Sequence, residues 1–403
     1  MRFRVRRGLV APALLALAIS QAAFADDGIS YRFSGFGTAG YVQTNTDDLT
    51  FHNPGQLKGA TTSGSGRVDS RLGAQFDLSL NDQLSATVQG LAQQNAKGDF
   101  RPKLEWAFVR YKPVDGVSLR VGRLGWPAYL VSDYRYVGYS NPWLRAPLEV
   151  YDLAALDYFD GADVTWTHAL GPGTLSVQVL GGHATSDLPN STQAAARLRV
   201  NQLYGGYVTY DIGDFHFRGG ASTAHVDYNS PAVNPLLAGL QFAGFASISQ
   251  SLVAHNKRTT FTSFGGTYDA HNILATAEYG SLRSSSFLGR DKGWYGTLGY
   301  HFGTWTPYVT YAGYNKPSQR NNYNVPPIGP LLPLSAGVAA LTGSSSQHTT
   351  SAGVRWDVYK NIDIKAQIDH VLPSANGGNF GNVSPSYNGH AVNVYSAVVD
   401  FVY

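Results

Sequence analysis

Charged side chains are concentrated in one 37-residue stretch, residues 125–161, which lies between two short strand-like runs. Carboxylates and guanidinium groups held close together in a narrow aqueous space create a strong local field. Paired carboxylates can also act as general acid and base. The stretch could therefore support either the passage of ions or a hydrolytic reaction. Its charged residues are Asp133, Arg135, Arg145, Glu149, Asp152, Asp157 and Asp160.

Hydrolysis is the weaker of the two readings. The acidic candidates resemble glycosidase carboxylates in type, but spacing along the chain sets no distance between them. The sequence has no G-x-S-x-G motif and no phosphate-binding loop, and its histidines lack the spacing of metal ligands. We therefore predict a protein that is not an enzyme, with no cofactor and no metal site. The carboxylates concerned are Glu149, Asp152, Asp157 and Asp160.

A connection of this length inside a compact domain is usually functional or disordered, and its aromatic content argues against disorder. We interpret it as a loop folded into the lumen of a β-barrel. There Asp133, Arg135, Arg145, Glu149, Asp152 and Asp157 would narrow a water-filled pore. The aromatic residues could form a stacking track for solutes or anchor the loop by packing. They are Trp126, Tyr129, Tyr134, Tyr136 and Trp143.

The first 25 residues have the pattern of a secretory leader. Four arginines precede an apolar run that ends in the small-x-small sequence Ala23-Phe24-Ala25. The leader holds four arginines and no acid, so the remaining chain has 26 basic and 27 acidic groups, against 30 and 27 in the full sequence. The basic balance of the whole chain is therefore no argument for a nucleic-acid partner. No later stretch has the roughly 20 uninterrupted apolar residues of a transmembrane helix.

The composition favours strands and turns, with 45 Gly, 25 Tyr, 19 Phe and only 14% charged residues. There is no cysteine, which excludes a disulfide scaffold and a thiolate metal site. No linker rich in Pro, Gly or Ser separates two unlike halves, so residues 26–403 are predicted to form one domain. The sequence shows no internal repeat of the kind expected for a propeller or a β-helix.

Alternating apolar and polar residues predict sixteen strands, each about long enough to cross a bilayer when tilted. Turns after even-numbered strands are tight, whereas most connections after odd-numbered strands are longer, which is typical of a membrane barrel. The predicted strands are residues 29–43, 67–80, 84–94, 103–111, 117–124, 162–168, 175–182, 197–210, 215–227, 258–268, 273–282, 293–302, 305–314, 348–359, 362–370 and 391–403.

Charged residues within these strands alternate with apolar neighbours, which places them on the side that faces water. Burying such charges in a dry core would require paired partners, whereas a wet lumen solvates them. Arg123 fits less simply, since a regular strand puts it on the face opposite Arg120. The predicted pore-wall residues are Arg67, Asp69, Arg71, Asp77, Glu105, Arg123, Arg218, Glu278, Arg355, Asp357, Lys365 and Asp369.

The leader, the strand count, the tight turns and an aromatic C-terminal strand together resemble the Gram-negative porin family over essentially the whole chain after the leader. Local stretches also look like it, among them Ser34-Gly35-Phe36-Gly37, Glu105-Trp106-Ala107-Phe108-Val109 and residues 119–124. The family usually ends in Phe, so Tyr403 is a departure. A TonB-dependent transporter would need a plug domain, for which there is no room before the first strand.

The resemblance implies a closed, all-β, antiparallel 16-stranded transmembrane barrel in the bacterial outer membrane, with its third extracellular loop folded inward. It also implies passive diffusion of ions and small hydrophilic solutes, and a homotrimer. Expected partners are membrane lipid, lipopolysaccharide and the barrel-assembly machinery, which would recognise the C-terminal strand. A substrate-selective channel for sugars, small acids or peptides, and a structural or adhesive barrel with a closed lumen, remain as alternatives.

Overall fold

The computed structural model describes residues 25–26, 28–190, 194–319 and 323–403. The predicted leader lies outside these residues except for Ala25, so its removal stays a prediction. Ala25–Asp26 form a two-residue strand that pairs with the start of the first long strand.

Sixteen long strands form one antiparallel sheet in which each strand pairs with its neighbours in sequence and the last pairs with the first. The predicted closed barrel is therefore confirmed. The strands are β1 (Ile29–Thr44), β2 (Arg71–Ser79), β3 (Leu84–Gln93), β4 (Lys103–Tyr111), β5 (Val117–Gly125), β6 (Tyr158–Leu170), β7 (Gly173–Leu188), β8 (Ala196–Ile212), β9 (Phe215–Asn229), β10 (Lys257–Ala270), β11 (Ile273–Ser284), β12 (Arg290–Tyr300), β13 (Trp305–Lys316), β14 (Ser345–Tyr359), β15 (Ile362–Pro373) and β16 (Val392–Val402).

The predicted alternation is visible in β2. Leu72 and Phe76 are 54% and 43% exposed on the outer face, where lipid surrounds a membrane barrel. Arg71 and Gln75 lie on the opposite face, where Gln75 donates to the carboxylate of Asp77 at 2.9 Å. Successive side chains of this strand therefore meet lipid and the lumen in turn.

The length of each connection depends, as predicted, on whether it follows an even-numbered or an odd-numbered strand. Even-numbered strands end in turns of two to five residues, whereas the connections after odd-numbered strands reach 32 residues, in the third loop (126–157). Long loops face the cell exterior in barrels of this kind, which orients the molecule.

Strand boundaries differ from the prediction near the long loops. β6 begins at Tyr158 and β7 extends to Leu188, beyond the predicted 162 and 182. Outside the hydrocarbon both faces of a strand contact water, so alternation no longer marks where the strand ends. In contrast, β2 begins at Arg71, and the predicted strand residue Arg67 lies exposed in the first long loop. There the side-chain amides of Asn53 and Gln56 donate to the carbonyl of Val68, in place of a neighbouring strand.

Helices occur only in the long loops of the described chain. The third loop holds a 3₁₀ turn, Gly138–Ser140, and α1 (Leu148–Tyr151). The loop after β9 holds α2 (Asn234–Phe242) and α3 (Ala246–Leu252), and the loop after β13 holds α4 (Leu332–Thr342). These last three helices share one apolar cluster around Leu240, Leu252 and Val338. None of the described helices is long and apolar enough to cross a membrane.

The seam between β16 and β1 closes the barrel. Tyr403 N–H donates to the carbonyl of Gly35 at 3.0 Å, and Gly35 N–H donates back at 3.1 Å. The rings of Phe401 and Tyr403 lie over Gly37 and Gly35, so closely that a Cβ at Gly37 would come within 2.4 Å of the Phe401 ring. Two glycines thus let the aromatic C-terminal strand dock against the first strand.

We expect Gly37→Ala to lower the free energy of unfolding by about 1–3 kcal/mol, because the added methyl displaces the Phe401 ring. Heat-induced unfolding of the barrel, followed by its change in mobility on gels, measures this. Gly296→Ala is the matched control, since a Cβ there meets no atom within 4 Å. If the two variants unfolded at the same temperature, the close packing of the Phe401 ring over Gly37 would be contradicted.

Candidate functional site

The third loop crosses the barrel interior and bonds to strands on the far side. Trp126 donates from its indole nitrogen to the Ser222 hydroxyl at 3.2 Å, and Leu130 N–H donates to the Glu278 carboxylate at 2.8 Å. Trp143 donates to the Thr297 hydroxyl at 2.8 Å. These partners lie on β9, β11 and β12, so one side of the loop is fixed against that wall.

Apolar packing accompanies these bonds. The ring of Tyr129 stacks on Tyr151 with centroids 4.6 Å apart, and the rings of Trp126 and Trp143 lie against Phe261 and a wall tyrosine at 5.2 and 5.6 Å. The three predicted aromatic residues Trp126, Tyr129 and Trp143 are each at most 5% exposed. They pack as anchors, whereas Tyr134 is 40% exposed.

Buried cations on β14 and β15 hold the tip of the loop. Lys365, which is fully buried, donates from Nζ to the carbonyl of Gly138 at 2.6 Å and pairs with Asp400 at 3.0 Å. Arg355 donates to the carbonyls of Tyr139 and Asn141 at 2.7 and 3.2 Å, and also pairs with Asp357. Both cations therefore position loop backbone, and both were predicted as pore wall.

Arg145 is a loop residue whose side chain binds the loop to the barrel wall. Its guanidinium pairs with Asp69 at 2.7 Å and Asp369 at 3.1 Å, and donates to the Ser396 hydroxyl at 2.6 Å. The three charged groups are each at most 8% exposed. A buried ion network of this kind is sensitive to the loss of any one member.

Two glutamates are also buried against the wall. Glu149 accepts hydrogen bonds from Gln347 at 2.6 Å and from the Thr349 hydroxyl. Burial raises the pKa of Glu149 above its ordinary value. Glu278 accepts from Leu130 N–H and from the Tyr295 hydroxyl at 3.1 Å. Both side chains bond neutral donors and lie away from the open side of the loop.

A second ion network fixes the base of the loop to β4. Lys103 Nζ lies 2.7 Å from Asp157 and 2.9 Å from Glu105, and Arg135 also pairs with Asp157. Burial opposes the ionisation of Asp157, but the charges of Lys103 and Arg135 outweigh it and hold its pKa below the ordinary range. Predicted loop residues Arg135 and Asp157 thus meet predicted wall residue Glu105.

The remaining side of the loop lies near arginines of β4 and β5 on the inner wall. Asp133 is exposed on the loop and lies close enough to interact electrostatically with Arg110 and Arg120. Arg120 makes a two-point pair with Asp163, at 3.0 and 2.5 Å. Further along this wall, Arg32 pairs with Asp77 at 3.2 Å.

Arg71 and Arg218 complete the placement of the predicted wall residues on the lumen side. The Arg71 guanidinium lies 5.7 Å from the ring centre of Tyr136 on the loop. Arg218 donates to the carbonyl of Pro127 at 3.0 Å, which adds a further contact to the loop's base. Arg71 thus borders the open gap, and Arg218 lies under the loop.

Two predicted wall residues lie elsewhere. Arg67 belongs to the first long loop, as described above. Arg123 shares the outer face with Val121, which is 62% exposed, and makes a two-point pair with Asp160 at 2.8 Å. The regular register of β5 and β6 puts this pair outside, near the end of both strands, where water and headgroups can solvate it.

Sequence reasoning missed Arg32 and Arg110 on the basic wall. Alternation could have found Arg110, because its neighbours Val109 and Tyr111 are both apolar in character and both exposed on the outer face. The same holds for Arg32, which lies between the outward-facing Tyr31 and Phe33.

Fold and interior together define an outer-membrane barrel with a loop-narrowed lumen. A family model described as Gram-negative porin matches residues 11–376, so the chain belongs to that family. It is a channel of the bacterial outer membrane for passive diffusion of small solutes. The search of curated proteins found no match.

Solved structures of outer-membrane proteins share the fold at low sequence identity. The outer membrane channel DcaP of Acinetobacter baumannii has a TM-score of 0.56 at 11% identity, covering 95% of this chain and 100% of its own. The loop L8 deletion mutant of OmpT from Vibrio cholerae has a TM-score of 0.54 at 10% identity, covering 94% of this chain and 100% of its own. An anion-selective porin from Comamonas acidovorans has a TM-score of 0.51 at 14% identity, covering 93% of this chain and 100% of its own.

We expect Lys365→Met to enlarge single-channel conductance in planar bilayers and to increase its noise. The substitution leaves Asp363 and Asp400 without their shared cation, at a cost of about 3–5 kcal/mol, and removes the bond to Gly138. Lys360→Met, on an exposed short turn, is the charge-matched control. A folded Lys365→Met barrel with wild-type conductance would show that this cation does not hold the loop.

Proposed function

We propose that ions and small hydrophilic solutes pass between the free side of the third loop and the basic wall formed by β1, β2, β4 and β5. The observation that carries this proposal is the placement of Asp133 on the loop opposite Arg110 and Arg120. The other side of the loop is packed against β9 to β13, which leaves this gap as the route. A cleft of about 90 Å³ bordered by Arg71, Arg135 and residues 53–56 lies beside the loop.

The charges across this gap produce a transverse field. Low-dielectric walls concentrate the field in a narrow aqueous passage, and such charged rings set which ions pass. Within the described parts of the chain, Arg71 and Arg110 form no salt bridge, whereas Arg32 and Arg120 are paired. The unpaired arginines give the passage a preference for anions. The likeness to a porin named anion-selective is in keeping with this preference.

We also propose that the barrel is not an enzyme. A glycosidase would present two free carboxyl groups across a shared cleft. In the third loop, Asp157 is engaged by two cations and Glu149 is bonded to buried neutral donors. Asp160 lies on the outer face with Arg123. Glu149, Asp157 and Asp160 therefore hold structure, Asp152 lines an apolar cavity, and Asp133 acts through its field.

Assembly and export follow the family pattern in this proposal. A leader of residues 1–25 is removed, and residues 26–403 form the barrel. The barrel-assembly machinery recognises the aromatic strand that ends in Phe401 and Tyr403, and lipopolysaccharide surrounds the outer half. A homotrimer is the proposed state, in line with the similar OmpT of Vibrio cholerae, whose structure is described as a trimer form.

We expect Asp133→Asn to shift the reversal potential in a salt gradient further toward anions, and Arg110→Gln to shift it toward cations. The ratio of permeabilities should change by about two- to fivefold, because a unit charge a few ångströms from a permeating ion contributes roughly 1 kcal/mol in water. Reversal potentials in planar bilayers measure both.

Asp82→Asn, on an exposed short turn, carries the same charge change away from the passage and should leave the potential unaltered. Glu149→Gln should also leave it unaltered, since that side chain is buried behind the loop. Unchanged potentials in both Asp133→Asn and Arg110→Gln would remove this gap as the route. A barrel that conducts no ions at all would instead favour the closed, structural alternative.

A further inference from the structure

An apolar cavity of about 280 Å³ lies inside the barrel, between the end of the third loop and the upper inner wall of β8 to β12. Leu153 and Leu156 of the loop form one side, and Val200, Phe261 and Leu282 of the wall form the other. The lumen of a diffusion channel is ordinarily polar, so this apolar lining is not what passage of ions requires. Its volume is close to the lower end for small-molecule pockets.

Among the described residues, two carboxylates and one ammonium group line this cavity: Asp152, Asp291 and Lys316. The Oδ1 atom of Asp291 is buried and has no hydrogen-bond partner among the described residues, while Oδ2 accepts from the Tyr314 hydroxyl at 3.3 Å. The side chain of Asp152 makes no hydrogen bond or salt bridge to any described residue. Lys316 offsets one of the two carboxylates, so with both carboxyls ionised the described lining has a net negative charge.

An unpaired buried carboxylate is costly unless a cation or donor meets it. The rings of Trp126 and Phe261 line the same cavity, with centroids 5.2 Å apart, and aromatic faces attract cations as well as apolar groups. A ligand that satisfies both features has a protonated amine at one end and an apolar or aromatic body. An anionic ligand would be repelled by the two carboxylates and attracted by only one ammonium group.

We propose that this cavity is a binding site for small amphipathic organic cations, in particular primary aryl-alkyl ammonium ions. The amine donates to Asp291 Oδ1 and Asp152, and the ring lies among Leu153, Val200 and Phe261. The site rests on the proposed channel, since a solute reaches it through the lumen. It adds a solute class that passage along the basic wall does not select.

Titration calorimetry of the folded barrel with 2-phenylethylammonium tests the proposal. Burial, followed by the charges of Asp291 and Glu149, raises the pKa of Asp152 to about 7, so the titration belongs at about pH 8, where this carboxyl is ionised. Saturable binding is expected, with weaker binding of uncharged 2-phenylethanol and none of phenylacetate. Binding of phenylacetate in preference to the amine would overturn the assignment.

Variants locate the site. Asp152→Asn and Asp291→Asn should each weaken amine binding at least about tenfold, as for loss of a hydrogen bond to a charged group. Lys316→Met should strengthen it, because a competing cation is removed. Asp214→Asn, on an exposed short turn, is the matched control and should bind as wild type. Equal binding by all four variants would place the amine elsewhere and overturn the proposal.

Ion conductance without amine separates this inference from the channel itself. A conducting barrel that binds no amine would refute the cavity assignment and leave the proposed route intact. A barrel that binds the amine, with the expected variant pattern, but conducts no ions would refute the route and keep the site.

Discussion

The constraint on which this structure depends is that hydrocarbon offers no hydrogen-bond partner to the backbone. Sixteen strands can cross the membrane because each finds both neighbours, and the ring is complete only where β16 meets β1. The close approach of Phe401 and Tyr403 to two glycines makes that last pairing possible. Once the ring is closed, every strand has a lipid face and an inner face, and the inner faces become available for function.

The interior of this barrel is divided rather than uniformly wet. Against β9 to β13 the third loop forms a dry core of aromatic and aliphatic side chains, whereas against β1 to β5 it leaves charged groups and open space. Apolar burial supplies the attraction that holds the loop in place. Buried ions at the tip and base supply direction, since Arg145 of the loop pairs with Asp69 and Asp369, and Lys365 donates to the carbonyl of Gly138.

The two regions offer different chemistry to a solute. Along the proposed route at the basic wall, a solute would meet charges across water, and its sign would decide how readily it passes. In the cavity behind the loop, it meets leucine, valine and aromatic rings with carboxylates at one end. Desolvation there strengthens each polar contact and makes an unpaired charge costly. A single loop thus separates the proposed path, which would select by field, from the proposed pocket, which would select by shape and charge together.

The sequence by itself determined the barrel, the strand count, the parity of the loops and the importance of the third loop. These features rest on local rules: alternation within a strand and turn chemistry between strands. Only the tertiary structure decided the role of each charge. Three residues that the sequence predicts as pore charges are buried and hold the loop in place: Arg145, Glu149 and Lys365. Arg123, predicted as pore wall, lies on the outer face. Arg110, which was not predicted, lies near Asp133 on the inner wall. The physical reason is that a charge's role depends on which distant groups surround it. Partners more than 200 residues apart, such as Arg145 and Asp369, leave no trace in local pattern.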